Sequence, residues 1–234
     1  MRRTARVIGT LLVAAGVLML VWAGVVWQWQ DPFTALYTKW RQHELTSQYN
    51  KRFEAYRPPS VQASPAAERR SIARDAHRYR AESKEGQAIG RIRVPRMGVN
   101  MILVNGTDEA TLKKGPGRDL RTFMPGENRL VYIAGHRTTS LAPFSHIDSL
   151  KPGDKVTLEL PYATFVYTVT THRIVKATDL SVLRSPKHEV LALQACHPRF
   201  FASHRYIAYA KLARIEPRGG QPFDVNGSAQ ASGK

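Results

Sequence analysis

The stretch that most narrows the possible folds runs from Val7 to Trp27: 21 residues without a charge, in which only Gly and Thr interrupt the aliphatic side chains and Trp. As a helix it spans roughly 30 Å, the hydrocarbon thickness of a bilayer. A helix buried in a globular core rarely goes so long without a polar face. A cleaved signal peptide fits less well, because its apolar region is usually about 7 to 15 residues and no small-x-small motif follows Trp27 before Asp31. Residues 7–29 are therefore read as a transmembrane signal anchor behind a cytoplasmic tail, residues 1–6. Arg2, Arg3 and Arg6 precede the span, whereas Gln28, Trp29, Gln30 and Asp31 follow it. The positive-inside rule then places everything downstream outside the cell.

That compartment gives weight to Cys196, the only cysteine among 234 residues. A lone thiol in an oxidising environment has no intramolecular disulfide partner and is a liability unless it is used. The 35 Lys and Arg against 18 Asp and Glu (net +17) point, in an exported protein, to anionic lipid headgroups or an acidic wall polymer. No nucleic-acid-binding motif accompanies the charge.

Downstream of the span, Asp31-Pro32 is a good helix start. Phe33, Leu36, Tyr37, Trp40, Leu45, Tyr49, Phe53 and Tyr56 then recur at mostly helical spacing, which predicts an amphipathic stalk helix over 30–57. Residues 58–85 read as a Pro/Ser/Ala linker followed by a charged helix in which Ile72 and Tyr79 are the only large apolar residues, so that helix is expected to be solvated. From Gly86 short apolar runs separated by Gly and Pro turns predict an all-β sandwich or barrel over 86–215, with single helical turns at 108–113 and 143–150. Residues 216–234, rich in Gly, Ser, Gln and Asn, read as a disordered tail.

Three of the strand-like runs carry a reactive group near a terminus. Leu130 to Gly135 delivers His136, Leu191 to Ala195 ends on Cys196, and Arg205 heads the run to Leu212. A neutral cysteine is only a few per cent thiolate, so acyl transfer needs an imidazole or a cation nearby. His136 supplies the first, and the always-charged guanidinium of Arg205 offers forked donors to an oxyanion. His197 adjoins the cysteine but points to the opposite face of an extended chain. One Cys and no His-x-His or Cys-x-x-Cys spacing give no support for a metal site, and no cofactor is expected.

At these residues the chain resembles the sortases, membrane-anchored cysteine transpeptidases of Gram-positive bacteria. The likeness rests on Ile133-Ala-Gly-His-Arg-Thr-Thr139, Ala192-Leu-Gln-Ala-Cys196 and Arg205-Tyr-Ile-Ala-Tyr209. Gly115-Pro-Gly117, Leu150-Lys-Pro-Gly-Asp154 and Cys196-His-Pro198 resemble the actinobacterial class E branch. The resemblance implies a closed, mostly antiparallel barrel of about eight strands, with His136, Cys196 and Arg205 as catalytic residues and no cofactor. It implies cleavage of a C-terminal Leu-(Pro or Ala)-x-Thr-Gly signal between Thr and Gly, and transfer of the surface protein or pilin to an amine of a peptidoglycan precursor or a pilin lysine. Leu180, Val182 and Leu183 match the loop that grips the signal's leucine, and Ala195, Thr138 and His197 fall at positions next to the motifs where substrate contact is expected. Ala192 and Ala195 stand where the family usually has Thr. Asp31-Pro32-Phe33 has the form of a pilin-sortase lid motif, although helix capping accounts for it. A membrane-tethered barrel that binds wall proteins without catalysis is the alternative reading.

Overall fold

The computed structural model describes residues 2–29, 32–58 and 64–225. Helix α1, Arg2–Trp29, carries the apolar run. Its segment Arg2–Gly24 is long and apolar enough to cross a membrane and buries none of that surface against the rest of the protein. Asp31, the expected cap of the next helix, lies outside the described residues.

Eight strands close into a barrel: β1 Ala88–Val94, β2 Val99–Asn105, β3 Gly117–Arg118, β4 Leu130–Ala134, β5 Lys155–Glu159, β6 Ala163–Lys176, β7 Val190–His197 and β8 His204–Pro217. Their order is β6-β5-β1-β2-β3-β4-β7-β8, and β8 pairs back onto β6. Pairing is antiparallel except at β2–β3 and β4–β7. Closure pairs the long strands β6 and β8 with each other, so that the flank of β2 beside short β3 is the stretch of edge left uncovered. The two longest strands, β6 and β8, wrap around one another through two register shifts, which supply the bend that closure demands.

Alternation along the strands sorts side chains to two faces. Ile89, Ile92, Val131, Ile133, Phe165, Tyr167, Leu191 and Leu193 fill the interior. Leu130, Tyr132, Ala192 and Ile207 form a separate cluster on the outer face of β4, β7 and β8. The interior also holds Glu189, whose carboxylate accepts from the amides of Gly126 and Asn128 at 2.9 and 3.2 Å and from the Tyr167 hydroxyl at 2.6 Å.

Two helices brace this barrel, and here the structure corrects the sequence reading. Helix α2, Pro32–Ala55, is no free stalk: Leu45 and Tyr49 pack on Ala88, Ile102 and Val104. Its Gln42 side chain accepts from Ile102 N at 2.6 Å and donates to Ile102 O at 3.1 Å. The amide thus imitates a strand on the flank of β2 that short β3 leaves uncovered. Only the first part of the predicted apolar stripe stays outside, with Leu36, Tyr37 and Trp40 exposed. Helix α3, Pro65–Glu82, is capped by Ser64, which accepts from Ala67 N. It is not solvated, because Ile72, Ala76 and Tyr79 insert into the main core. Ala76 completes an i, i+4, i+7 stripe that a search for large side chains alone does not see.

The expected helical turns exist. Helix α4, Glu109–Leu112, starts on an Asp108 cap, and a 3₁₀ turn occupies Ile147–Ser149. The expected tail begins late: β8 continues to Pro217, and β9, Phe223–Asp224, pairs with Arg214 and Ile215. Partly buried Phe223 packs on the core and holds this return in place. Residues 226–234 lie outside the described region.

Burial pushes the Glu189 carboxyl up to about 7 from the ordinary 4.5, against the opposing pull of its hydrogen bonds to Tyr167 and the Gly126 and Asn128 amides. Between those values the folded protein holds a proton that the unfolded chain has released, so this group's contribution falls as pH rises from 4.5 to 7 and is flat above. Glu189→Gln can still accept both amides and donate to Tyr167. Its thermal midpoint, followed by circular dichroism, is expected to fall less between pH 5 and pH 8 than that of the wild type.

Candidate active site

The three reactive residues converge because β4, β7 and β8 lie side by side. Parallel pairing sets Ala134 opposite Gln194, and Gly135 N donates to Gln194 O at 3.0 Å. His136 therefore leaves β4 beside the strand that ends on Cys196. Antiparallel pairing on the other side sets Cys196 opposite Arg205. All three line a single cavity of about 290 Å³ on the outer face of the barrel.

Gly135 is required by packing. A Cβ there would lie 2.7 Å from the fully buried Phe144 ring, and Phe144 N in turn donates to His136 O at 3.0 Å. Beyond it, Ser140, Leu141 and Ala142 all take positive φ without a glycine. For such residues that conformation costs about 1 to 3 kcal/mol each, so the loop after His136 is held by its surroundings rather than by its own preferences.

His136 is half-buried, and its Nε2 has no hydrogen-bond partner among the described residues. Burial, with a smaller push from Lys113, holds its imidazole below the ordinary value, against an opposing pull from Glu109. At neutral pH the ring is therefore uncharged and ready to accept a proton. Arg205 is anchored through Nη1, which donates to Ala202 O at 2.8 Å and His204 O at 3.0 Å. Its Nε and Nη2 hydrogens have no partner among the described residues and remain as donors. Among these residues no group of three or more His, Cys, Asp or Glu converges as a metal site.

The 3₁₀ turn Leu180–Leu183 roofs the cavity, capped by Asp179, whose carboxylate accepts from Ser181 N at 2.9 Å. Leu180, Val182 and Leu183 all line the space. Val182 and Leu183 rest on the outer cluster, whereas Leu180 is 62% exposed. Three other expected contacts are not brought together with them. Ala195 is fully buried in the interior core, because strand alternation turns it away from the face that carries Cys196. His197 shares that parity and bonds Arg137 at 3.1 Å. Thr138 sits in the loop after His136, outside the cavity lining. Ala192, one of the two positions where the resemblance implies Thr, lies fully buried in the cluster beneath the 3₁₀ turn.

Sequence reading missed Tyr132 and Gln194, which line the cavity with Asp119 and Arg121. Period-two counting finds the first pair, since Tyr132 stands two before Ala134 and Gln194 two before Cys196. Asp119 and Arg121 follow the two-residue strand β3 and carry no such signal.

The sortase-domain family model matches residues 92–213, just over half of the chain. The chain belongs to the sortase family. Sortase D of Bacillus subtilis (strain 168) is 34% identical over 130 residues, 54% of this chain. The match spans 64% of that relative, a little under two thirds of its length. The solved structure of the Clostridium perfringens Sortase D5 transpeptidase superposes with a TM-score of 0.58 at 25% identity, covering 74% of this chain and 98% of that one. Sortase E1 from Streptomyces coelicolor, solved with a tripeptide in the active site, superposes with a TM-score of 0.54 at 26% identity, covering 57% and 93%.

A titration of His136 followed by NMR is expected to give a midpoint below the ordinary 6.5. Lys113→Gln should raise it, since removing a nearby cation favours the imidazolium. A wild-type midpoint above 6.5 contradicts the neutral imidazole.

Proposed function

We propose that this protein is a membrane-anchored, class E-like sortase that cleaves a Leu-(Pro or Ala)-x-Thr-Gly sorting signal between Thr and Gly. The observation that carries the reading is the meeting of His136, Cys196 and Arg205 in one cavity under an apolar roof. Cys196 Sγ attacks the Thr carbonyl while its proton passes to the neutral His136. The tetrahedral oxyanion takes hydrogen bonds from the free edge of Arg205. Collapse breaks the Thr–Gly C–N bond, His136 returns the proton to the leaving glycine amine, and a thioester remains on Cys196. A second amine attacks the thioester carbonyl and gives up a proton to His136, which passes it to the departing Cys196 sulfur, so the thiol and the neutral imidazole are regenerated without a cofactor.

Leu180, Val182 and Leu183 bound the subsite for the leucine of the signal. The substrates are surface proteins or pilins that carry such a signal, and the acceptor is an amine of a peptidoglycan precursor or a pilin lysine. The N-terminal apolar helix and the arginines before it support a single-pass topology, with the amino terminus in the cytoplasm and the barrel outside. The class E-like assignment rests on Gly115-Pro-Gly117 and Cys196-His-Pro198 and agrees with the likeness to Sortase E1.

The full chain in nanodiscs, incubated with Leu-Ala-x-Thr-Gly and Leu-Pro-x-Thr-Gly peptides, is expected to release the Gly fragment and to accumulate a Cys196 thioester visible by mass spectrometry. Cys196→Ala should abolish both, and Arg205→Ala should lower kcat by about 10²- to 10³-fold, the usual cost of an oxyanion donor. Unchanged cleavage by Cys196→Ala would refute the mechanism. A wild-type thiol inert to peptide and alkylating agent alike would favour the non-catalytic barrel.

A further inference from the structure

Arg137 follows His136 directly but does not line the cavity. Its side chain is 3% exposed and reaches the end of β7. Nη1 donates to the carbonyl oxygen of Cys196 at 3.2 Å and to His197 Nδ1 at 3.1 Å, while Nη2 donates to Asp148 Oδ2 at 2.6 Å. A guanidinium has no acceptor, so His197 presents an unprotonated Nδ1 and carries any proton of its neutral form on Nε2. The His197 ring lies against Tyr206 at 6.2 Å, and Tyr206 stacks on His172 at 5.0 Å.

The strand pattern shows what the contact to Cys196 replaces. Carbonyls two residues apart on a strand point the same way. Gln194 O faces β4 and is met by Gly135 N, so Cys196 O faces the same side, where β4 has already ended at Ala134. The next bond of the ladder would have no main-chain donor. Arg137 supplies it from a side chain, and the residue that does so is covalently joined to His136. Burying a guanidinium costs several kcal/mol unless its partners are well placed, and here one contact falls on the nucleophile's own peptide group.

We propose that Arg137 is a positioning residue: by clamping the Cys196 carbonyl it locks the end of β7 to the loop that carries His136, and so fixes the thiol relative to the imidazole. Asp148, 52% exposed on its side chain, steadies the other end of the guanidinium. The inference rests on the acyl-transfer reading of the site and goes beyond it, because Arg137 lies outside the cavity lining and bonds the backbone of Cys196 rather than its thiol.

The test uses the full chain in nanodiscs and two variants, Arg137→Lys, which keeps the charge but loses the fork, and Asp148→Ala, which frees the exposed end. Two quantities are read at neutral pH: the rate of Cys196 alkylation by iodoacetamide, and kcat and KM for the sorting-signal peptide. Arg137→Lys is expected to lower kcat by about 100-fold, the scale of a 1 Å misplacement, with KM little changed and alkylation slowed in parallel. Asp148→Ala should show the same pattern to a smaller degree. A folded Arg137→Lys protein with wild-type kcat and alkylation rate overturns the clamp, as does an effect confined to KM. Should Arg137→Lys not fold, Asp148→Ala decides by the same criteria. A wild-type protein that neither cleaves the peptide nor reacts with iodoacetamide defeats the acyl-transfer reading itself, whereas an active wild type with equally active variants defeats only the clamp.

Discussion

The pairing of β7 with β4 on one side and β8 on the other is the constraint on which the active site depends. Its register places Gln194 beside Ala134 and Cys196 opposite Arg205. A slip of one residue in either ladder would turn Cys196 and Ala195 to exchanged faces, burying the thiol and exposing an inert methyl group. The register is held by the two apolar clusters on either side of the sheet. Leu191, Leu193 and Ala195 belong to the interior, and Ala192 to the outer cluster with Tyr132 and Ile207. The same burial that stabilises the barrel therefore aims the nucleophile.

Around that seam the fold supplies closure and bracing. The β6–β8 pairing shuts the barrel, and helices α2 and α3 cover the flank and the end of the sheet that strand pairing leaves open. Gln42 does for Ile102 what Arg137 does for Cys196: each is a side chain standing where a neighbouring strand is too short to reach. In the first case the result is a protected edge, in the second a fixed nucleophile. Asymmetry of the barrel, with β3 only two residues long, is thus compensated locally rather than by longer strands.

Much of this was legible in the sequence, for reasons that differ by element. The strands were visible because alternation and Gly or Pro turns survive in a linear text, and His136, Cys196 and Arg205 stood out because each falls at a strand end. The docking of the two helices is not legible because their buried faces are narrow: Leu45 and Tyr49 belong to a longer apolar stripe whose spacing does not mark the docked part, and Ile72, Ala76 and Tyr79 stand among charged residues. Ala195 and His197 were expected near substrate through adjacency to Cys196, yet adjacency on a strand means opposite faces. Arg137 lies within the Ile133–Thr139 motif, but nothing in a linear sequence shows that the carbonyl of Cys196, 59 residues away, lacks its ladder partner.

The decisive measurement is a crystal structure of the protein with a sorting-signal peptide that ends in a Thr aldehyde, to which the thiol adds as a hemithioacetal that keeps the Thr carbonyl carbon and oxygen. The expected result is a covalent bond to Cys196 Sγ, the former carbonyl oxygen within hydrogen-bond distance of Arg205, and the signal's leucine under Leu180, Val182 and Leu183. An adduct whose oxygen points away from Arg205, or a leucine seated outside that roof, would contradict it.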